Sequence, residues 1–158
     1  VFIELSPFYN NIFLSLTPNN MKYKSFKGIK INNITYQGRG SLGEKIWFIK
    51  KSQKVPTIII GSDIPNIKLF HIRKAFDILR KKSIVLGPTN DGGFWLIGFS
   101  NKINFDYPFD DIIWSTDNTL EKTINALQKK RVSYGLCDEN YDIDNAEDYY
   151  KYINNLNN

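Results

Sequence analysis

Three short stretches of this sequence combine carboxylates with glycine in ways that could do chemistry. The first is Gly61-Ser62-Asp63-Ile64-Pro65. The β-branched, uncharged run Val55–Ile60 before it reads as a buried strand, which delivers one carboxylate to a sheet's edge. Gly61 allows another group to approach closely, and Pro65 stiffens the exit. Asp63 placed this way suits a Mg²⁺ or Mn²⁺ ion carrying a phosphate. Capping of the following turn is the alternative. The second stretch is Gly87-Pro88-Thr89-Asn90-Asp91-Gly92-Gly93-Phe94-Trp95. Asp91-Gly92-Gly93 between two strands is first of all a hairpin turn. A hairpin needs only one glycine, however, and two after an aspartate also let the backbone pass closely around a ligand and offer N–H groups to an anion. The third is Tyr141-Asp142-Ile143-Asp144-Asn145-Ala146-Glu147-Asp148. Asn145 reads as an N-cap, with Glu147 and Asp148 favoured by the helix dipole. Asp142 and Asp144 alternate before that helix, so an extended chain puts them on one side. Two such carboxylates repel unless a cation lies between them. If this loop lies beside Asp63, the three make a divalent-metal site.

The elements that must position these loops alternate between strand and helix. Ile12–Thr17 and Ile34–Gln37 read as strands, separated by a polar, exposed loop over residues 18–33. A helix follows from Ser41, where Ser41 and Glu44 have capping-box spacing. Ile72, Ala75, Phe76 and Leu79 recur at helical spacing on the next helix. Ser83–Leu86 and Phe94–Phe99 are strands. Asp117 or Asn118 caps a helix that turns Leu120, Ile124 and Leu127 inward. Val132–Cys137 is the last strand, and Tyr149, Tyr150 and Tyr152 should pack the final helix on the sheet. Asn154–Asn158 reads as a fraying tail. This alternation predicts an α/β domain with a largely parallel sheet, whose ligands bind beyond the carboxyl ends of the strands. All three motif loops fall at such ends.

Composition narrows the chemistry further. With 158 residues, 42% hydrophobic and 15% aromatic, the chain can bury a core and is not disordered. No apolar run approaches the roughly 18 residues of a membrane span. One cysteine, Cys137, excludes an internal disulfide and a multi-cysteine zinc site, and one histidine, His71, excludes a poly-histidine centre. Cys137 reads as a small buried hydrophobe and His71 as a surface residue. Trp47 fits the buried face of its helix. The net charge of +5 comes mostly from lysines near helix ends, including Lys50-Lys51, Lys81-Lys82 and Lys129-Lys130. Without an arginine-aromatic cluster, nucleic acid is not an expected partner. The lone cysteine and the absence of a signal-peptide pattern lead to a cytoplasmic expectation.

Taken in order, Gly61–Pro65, Gly87–Gly98, Trp114-Ser115 and Asp142–Asp148 resemble the selenodomain-associated transferases, a family with the glycosyltransferase-A fold. Gly40–Ile46 adds a fifth match, and the resemblance covers roughly residues 10–152. A more distant likeness extends to the 2-phospholactate guanylyltransferase and molybdenum-cofactor nucleotidyltransferase families. The resemblance implies a three-layer, Rossmann-like fold with a mostly parallel mixed sheet. It implies a nucleotide or nucleotide-sugar donor, a small-molecule acceptor and a divalent metal, Mg²⁺ or Mn²⁺. Asp63 would hold the metal, with Asp142 and Asp144 completing the site. Asp91, Gly92 and Gly93 would line the acceptor side, with Asp91 positioning the acceptor or acting as its base and Trp95 and Trp114 as walls. Gly61, Ser62 and Glu44 would contribute to nucleotide or substrate binding.

Departures from the family pattern carry expectations of their own. Ser41 stands where the family has Asp, and Lys45 where it has Arg, which keeps the charge but loses the bidentate fork. Asn145 replaces Thr, and still caps. Family members open with a strand and a Gly/Lys/Arg-rich phosphate loop. This chain begins at Val1 with Met21 as its only methionine, and residues 1–20 hold no Lys or Arg. The expectation is a single domain, residues 1–158, lacking its first βα unit of about 30 residues. The leading functional expectation is a metal-dependent transferase, of glycosyl groups ahead of nucleotidyl groups. A non-catalytic remnant is the alternative.

Overall fold

The computed structural model describes residues 12–17, 34–102, 104–143 and 145–156. The polar stretch 18–33, Asp144 and residues 157–158 lie outside the described residues. Two short strands, β1 (Leu14–Leu16) and β2 (Ile34–Tyr36), pair in parallel as a small sheet of their own. Helix α1 (Leu42–Ser52) begins at Ser41, whose hydroxyl accepts from the Glu44 N–H while the Glu44 carboxylate accepts from the Ser41 N–H. The capping box predicted from the sequence is therefore formed. At the other end of α1, Lys50 is buried, and its ammonium donates to the carbonyls of Gln53 and Val55. It clamps the chain's exit as well as facing the helix dipole.

The main sheet has the order β3 (Thr57–Ile60), β5 (Phe94–Phe99), β4 (Ile84–Pro88), β6 (Tyr134–Leu136). Strand β5 is antiparallel to both of its neighbours, and β6 is parallel to β4. Strands β3, β4 and β6 thus run one way and β5 alone runs the other. Strand β3 is half-buried along its length and ends the four-stranded order, whereas its composition suggested a fully buried strand. The physical reason is position: a strand with one sheet neighbour is covered less completely than a central one, whatever its side chains. Strands β4 and β5, flanked on both sides, carry the buried run.

Alternation along the strands divides the core between two faces. On one face, Val85 and Leu96 pack with Ile72, Ala75 and Leu79 of α2 (Leu69–Leu79). On the other, Ile84, Leu86, Ile97 and Phe99 pack with Ile46 of α1 and Leu127 of α3 (Thr119–Lys129). Helices on both faces of one mixed sheet make the three-layer α/β architecture. Trp47 stacks on Phe105 and meets Phe99 edge-on, so it faces inward as its spacing predicted. No helix among the described residues is long and apolar enough to cross a membrane.

Leu120, Ile124 and Leu127 all pack on the core as expected, with Leu127 fully buried, whereas two other local expectations need correction. The fully buried line of α3 is Thr119, Thr123 and Leu127, and Leu120 and Ile124 flank it half-buried. The Thr123 hydroxyl satisfies itself on the Thr119 carbonyl one turn back, which is how a polar residue enters that line at no loss of hydrogen bonding. Helix α4 (Ala146–Leu156) runs through the first residues of the expected tail. Its Tyr149 and Tyr150 are 51% and 65% exposed and stack edge-on with each other, so they do not hold the helix on the sheet.

Candidate active site

The three motif loops leave the sheet at one end. Strands β3, β4 and β6 all point their carboxyl ends there, and β5 begins there. The first loop is tied down by its apolar residues, since Ile64 and Ile67 are 2% and 0% exposed. That leaves Gly61, Ser62 and Asp63 at the surface. The Gly61 N–H donates to the Trp95 carbonyl at 2.9 Å. A Cβ on Gly61 would lie 2.7 Å from Asp63 Oδ1, so the glycine makes room for the carboxylate to fold back over it.

The second loop is a tight turn, as the favoured reading of Asp91-Gly92-Gly93 held. The Thr89 N–H donates to the Gly93 carbonyl at 3.1 Å, and the Gly92 N–H to the Thr89 carbonyl at 3.3 Å. The Asp91 carboxylate locks this turn from inside. Its Oδ1 accepts from the Gly93 N–H at 3.0 Å and from the Thr89 hydroxyl. Gly92 has φ +85°, and a Cβ there would lie 1.7 Å from the Asp117 carbonyl oxygen. The close backbone approach that the double glycine suggested is therefore to the start of α3. The Gly92 carbonyl accepts from the Leu120 N–H at 2.9 Å and caps that helix. Asn118, predicted as a candidate side-chain cap, makes no capping bond, because a backbone carbonyl from the second loop serves instead.

The third loop is stitched to both others. The Asn140 N–H donates to the Pro88 carbonyl at 3.0 Å, and Asn140 and Thr89 form a parallel bridge. The Ile143 N–H donates to the Asp63 carbonyl at 3.0 Å, and the Asn66 amide donates to the Tyr141 hydroxyl. The condition attached to the acidic loop is thus met at the level of backbone: the residue between Asp142 and Asp144 is bonded to Asp63. Among the described residues no group of three His, Cys, Asp or Glu is arranged to hold a metal, and Asp144 lies outside them. Asn145 caps α4 as predicted, its Oδ1 accepting from the N–H groups of Glu147 at 2.9 Å and Asp148 at 3.1 Å.

The two tryptophans part company. Trp95 is 2% exposed and lies in the core under the site. Strand β5 shifts register between the Gly87–Leu96 and Pro88–Phe94 pairs, which skips Trp95 and groups it with Leu96 on the α2 face. Its indole covers Gly87, and its N–H donates to the Asp138 carbonyl at 3.0 Å. Trp95 thereby supports the second and third loops from beneath. Trp114 is half-buried and meets the rings of Phe94 at 6.3 Å and Phe109 at 5.7 Å. It also lies over Gly43, where a Cβ would meet its ring at 2.5 Å. Ser115 after it has φ 59°, a left-handed conformation uncommon for serine. Glu44, next to Gly43, is exposed, and its Oε2 is engaged by Ser41, whose hydrogen bonds hold the carboxyl below the ordinary range.

The remaining titratable groups are placed by burial. His71 is half-buried rather than a free surface residue: its Nδ1 accepts from the Lys68 N–H at the start of α2, and desolvation lowers its pKa. Burial pushes the Tyr107 hydroxyl up and the Cys137 thiol up to about 11, so Cys137 is an inert core group. Two residues at the site carried no signal read from the sequence. Thr89 is 5% exposed and fixes Asp91, and Asn140 is 9% exposed beside it. The threonine two residues before Asp91 was the available clue, since a hydroxyl at that spacing can bond the carboxylate across the turn.

A family of proteins described as "Uncharacterized protein conserved in bacteria (DUF2064)" matches residues 11–116. That span includes Asp63, Asp91 and Trp114 and ends before the third loop. The crystal structure of a putative nucleotide-diphospho-sugar transferase from Desulfovibrio desulfuricans G20 superposes with a TM-score of 0.64 at 26% sequence identity. The match covers 71% of this chain and 50% of that one, so the chain spans half the length of that neighbour. No curated protein matches it.

Proposed function

The chain belongs to the DUF2064 family of bacterial proteins, and on that premise we propose that it is a transferase acting on a nucleotide-activated donor, with sugar transfer as the reaction. The observation that carries this reading is the convergence of the three motif loops at one sheet end, pinned by the Ile143–Asp63 and Asn140–Pro88 backbone bonds. The name of the Desulfovibrio structure favours a sugar as the transferred group.

Asp63 and Asp142, with Asp144, would hold a Mg²⁺ or Mn²⁺ ion. The donor set fits such a hard cation, because it is all carboxylate and has no sulfur or imidazole. When bound, the ion would neutralise the diphosphate of the donor as charge develops on the leaving group. The chain's own residues have separate tasks. Asp91 accepts the proton of the attacking acceptor hydroxyl, and the Thr89 and Gly93 bonds on Oδ1 hold it in one orientation. None of the described hydrogen bonds uses Asp91 Oδ2, which is left for the acceptor. Trp114, half-buried and edge-on to Phe94, supplies an apolar wall next to the second loop.

The test is titration calorimetry of the purified protein with nucleoside diphosphates, nucleoside triphosphates, and UDP- and GDP-sugars, with and without Mn²⁺. Metal-dependent binding is expected, and Asp63→Ala should weaken it tenfold or more, as loss of one ligand to a bound cation does. Release of a nucleoside diphosphate on turnover identifies sugar transfer, and release of pyrophosphate identifies nucleotidyl transfer instead. Tight binding without metal, or no binding to any nucleotide, would sink the reading.

A further inference from the structure

His71, the chain's only histidine, lies where the first loop enters α2. Its ring is tilted on Phe70, with centroids 3.9 Å apart, and meets the Trp95 indole edge-on at 5.8 Å. Nδ1 accepts from the Lys68 N–H at 3.0 Å, and the His71 N–H donates to the Lys68 carbonyl at 3.1 Å. These two bonds close the turn that joins loop to helix. An Nδ1 that accepts is unprotonated, so the bond belongs to the neutral ring with its hydrogen on Nε2.

The other described helices open with groups that complement their dipoles. Ser41 and Glu44 begin α1, Glu121 lies in the first turn of α3, and Asn145, Glu147 and Asp148 begin α4. Helix α2 has Lys68 at its cap and no acid in its first turn. An ammonium offers no acceptor, and its charge opposes the dipole. Among the described residues the imidazole nitrogen is therefore the side-chain acceptor at that end. A proton on Nδ1 would set N–H against N–H and add a second positive charge beside Lys68. It would also draw the ring toward Asp138 of the third loop, which is ion-paired with Lys74 of α2. Lys68, Lys74 and Asp138 are the charged groups that face the ring. Burial lowers its pKa, and of the three charges only Asp138 opposes that. The unfolded chain thus takes the proton first as pH falls below 6.5, and the stability contributed by the neutral ring is lost from there downward.

The first loop carries this change to the carboxylates. Its Asn66 amide donates to the Tyr141 hydroxyl, and its Asp63 carbonyl accepts from the Ile143 N–H, so the first and third loops move together. We propose that His71 is a proton-sensitive anchor for these loops, and that protonating it frees the Lys68 end of the first loop and weakens the hold of Asp63 and Asp142 on a divalent cation. The cation rests on the transferase reading above, whereas the anchor stands apart from it. His71 acts through Lys68 and is a positioning residue.

The experiment follows ¹H and ¹⁵N signals of the whole chain from about pH 8 to about pH 5. A single histidine gives one imidazole resonance, and its midpoint should lie below 6.5. Protection of the Lys68 and Ile143 amides from solvent exchange should fall with that same midpoint. His71→Gln keeps an oxygen that reaches back to the Lys68 N–H and does not titrate. Mn²⁺ affinity, read from the paramagnetic signal of the free ion, should fall about three- to tenfold more in wild type than in His71→Gln over that range, the effect of one lost helix cap. Protonation of the carboxylates is common to both proteins and cancels. A midpoint above 6.5, amide protection that ignores the imidazole, or equal pH dependence of Mn²⁺ affinity in the two proteins overturns the inference. If His71→Gln does not fold, the wild-type titration decides alone. If neither protein binds Mn²⁺, the metal reading fails, and the coupled titration of His71 with the Lys68 and Ile143 amides still decides the anchor.

Discussion

Strand β4 enters the sheet from Arg80, Lys81, Lys82 and Ser83, and leaves it through Thr89, Asn90 and Asp91. With Lys102, Ser100 and other neighbours, the entering residues line an open cavity of ≈ 580 Å³. Its cations are exposed, no carboxylate among the described residues lines it, and the Ser83 and Ser133 hydroxyls bond each other at 3.0 Å. At the exit the polar groups are fixed and, among the described residues, incompletely satisfied. Asp91 is locked by two bonds on one oxygen, and Asn140 keeps a buried donor without an acceptor among the described residues. The contrast teaches that open volume marks where chain ends splay, while chemistry is marked by polar groups held rigid and left hungry. The lysines at the entrance have a sufficient explanation in the carboxyl end of the α2 dipole, which they face just past Leu79.

The largest effect should come from breaking the rigid end. Gly92→Ala places a methyl where the Asp117 carbonyl now lies, at a backbone φ of +85°. Turn strain and the displaced α3 cap together should cost about 2–4 kcal/mol, read as a lowered urea midpoint. If Gly92→Ala unfolds like wild type, the second loop is not docked on α3 and the contrast between the two ends weakens.

That turn also shows what sequence can and cannot deliver. Capping boxes are local, so Ser41–Glu44 and Asn145 were legible from spacing alone. The alternation of strands and helices gave the three layers for the same reason, since periods of 2 and 3.6 are properties of short windows. The function of Gly92 was not local. Two glycines announced a close approach, but only the fold could say that Asp117 was the partner. Trp95 illustrates the same limit, because a register shift in β5 moved its side chain to the other face and no composition signals a shift. Tyr149 and Tyr150 failed differently, their aromatic character outweighing, in a window reading, the geometry that leaves them in water. Asn140 lies beyond reach of pattern altogether. Its importance is a missing bond, and a missing bond exists only in three dimensions.

A smaller effect should follow from pH. Cys137 lies against Gly87 in the buried half of the exit, and desolvation, then the nearby Asp138 charge, pushes its thiol from 9.0 to about 11. The unfolded thiol therefore ionises first. Between pH 9 and about 11 the native state binds the extra proton, so stability falls as pH rises through that window. Below it, both states carry the neutral thiol and Cys137 gives no slope. Urea midpoints across the window should decline for wild type and decline less for Cys137→Ala. A thiol that reacts with Ellman's reagent at neutral pH as fast as a free cysteine would show that this part of the exit is not packed.

The smallest effect should come from the entrance, and its smallness is the point. Lys81→Ala with Lys82→Ala removes two exposed cations from the ≈ 580 Å³ cavity. Neither makes a described salt bridge. Surface substitutions of this kind shift stability within about 0.5 kcal/mol each, here through the weakened interaction with the end of α2. Metal-dependent nucleotide binding should be unchanged, because the change lies at the far end of β4 from Asp63 and Asp142. If the double substitution instead weakened nucleotide affinity tenfold, the cations would be acting on the donor's phosphates. The entrance would then be the site, and the rigid, unsatisfied groups at the exit would need a different explanation.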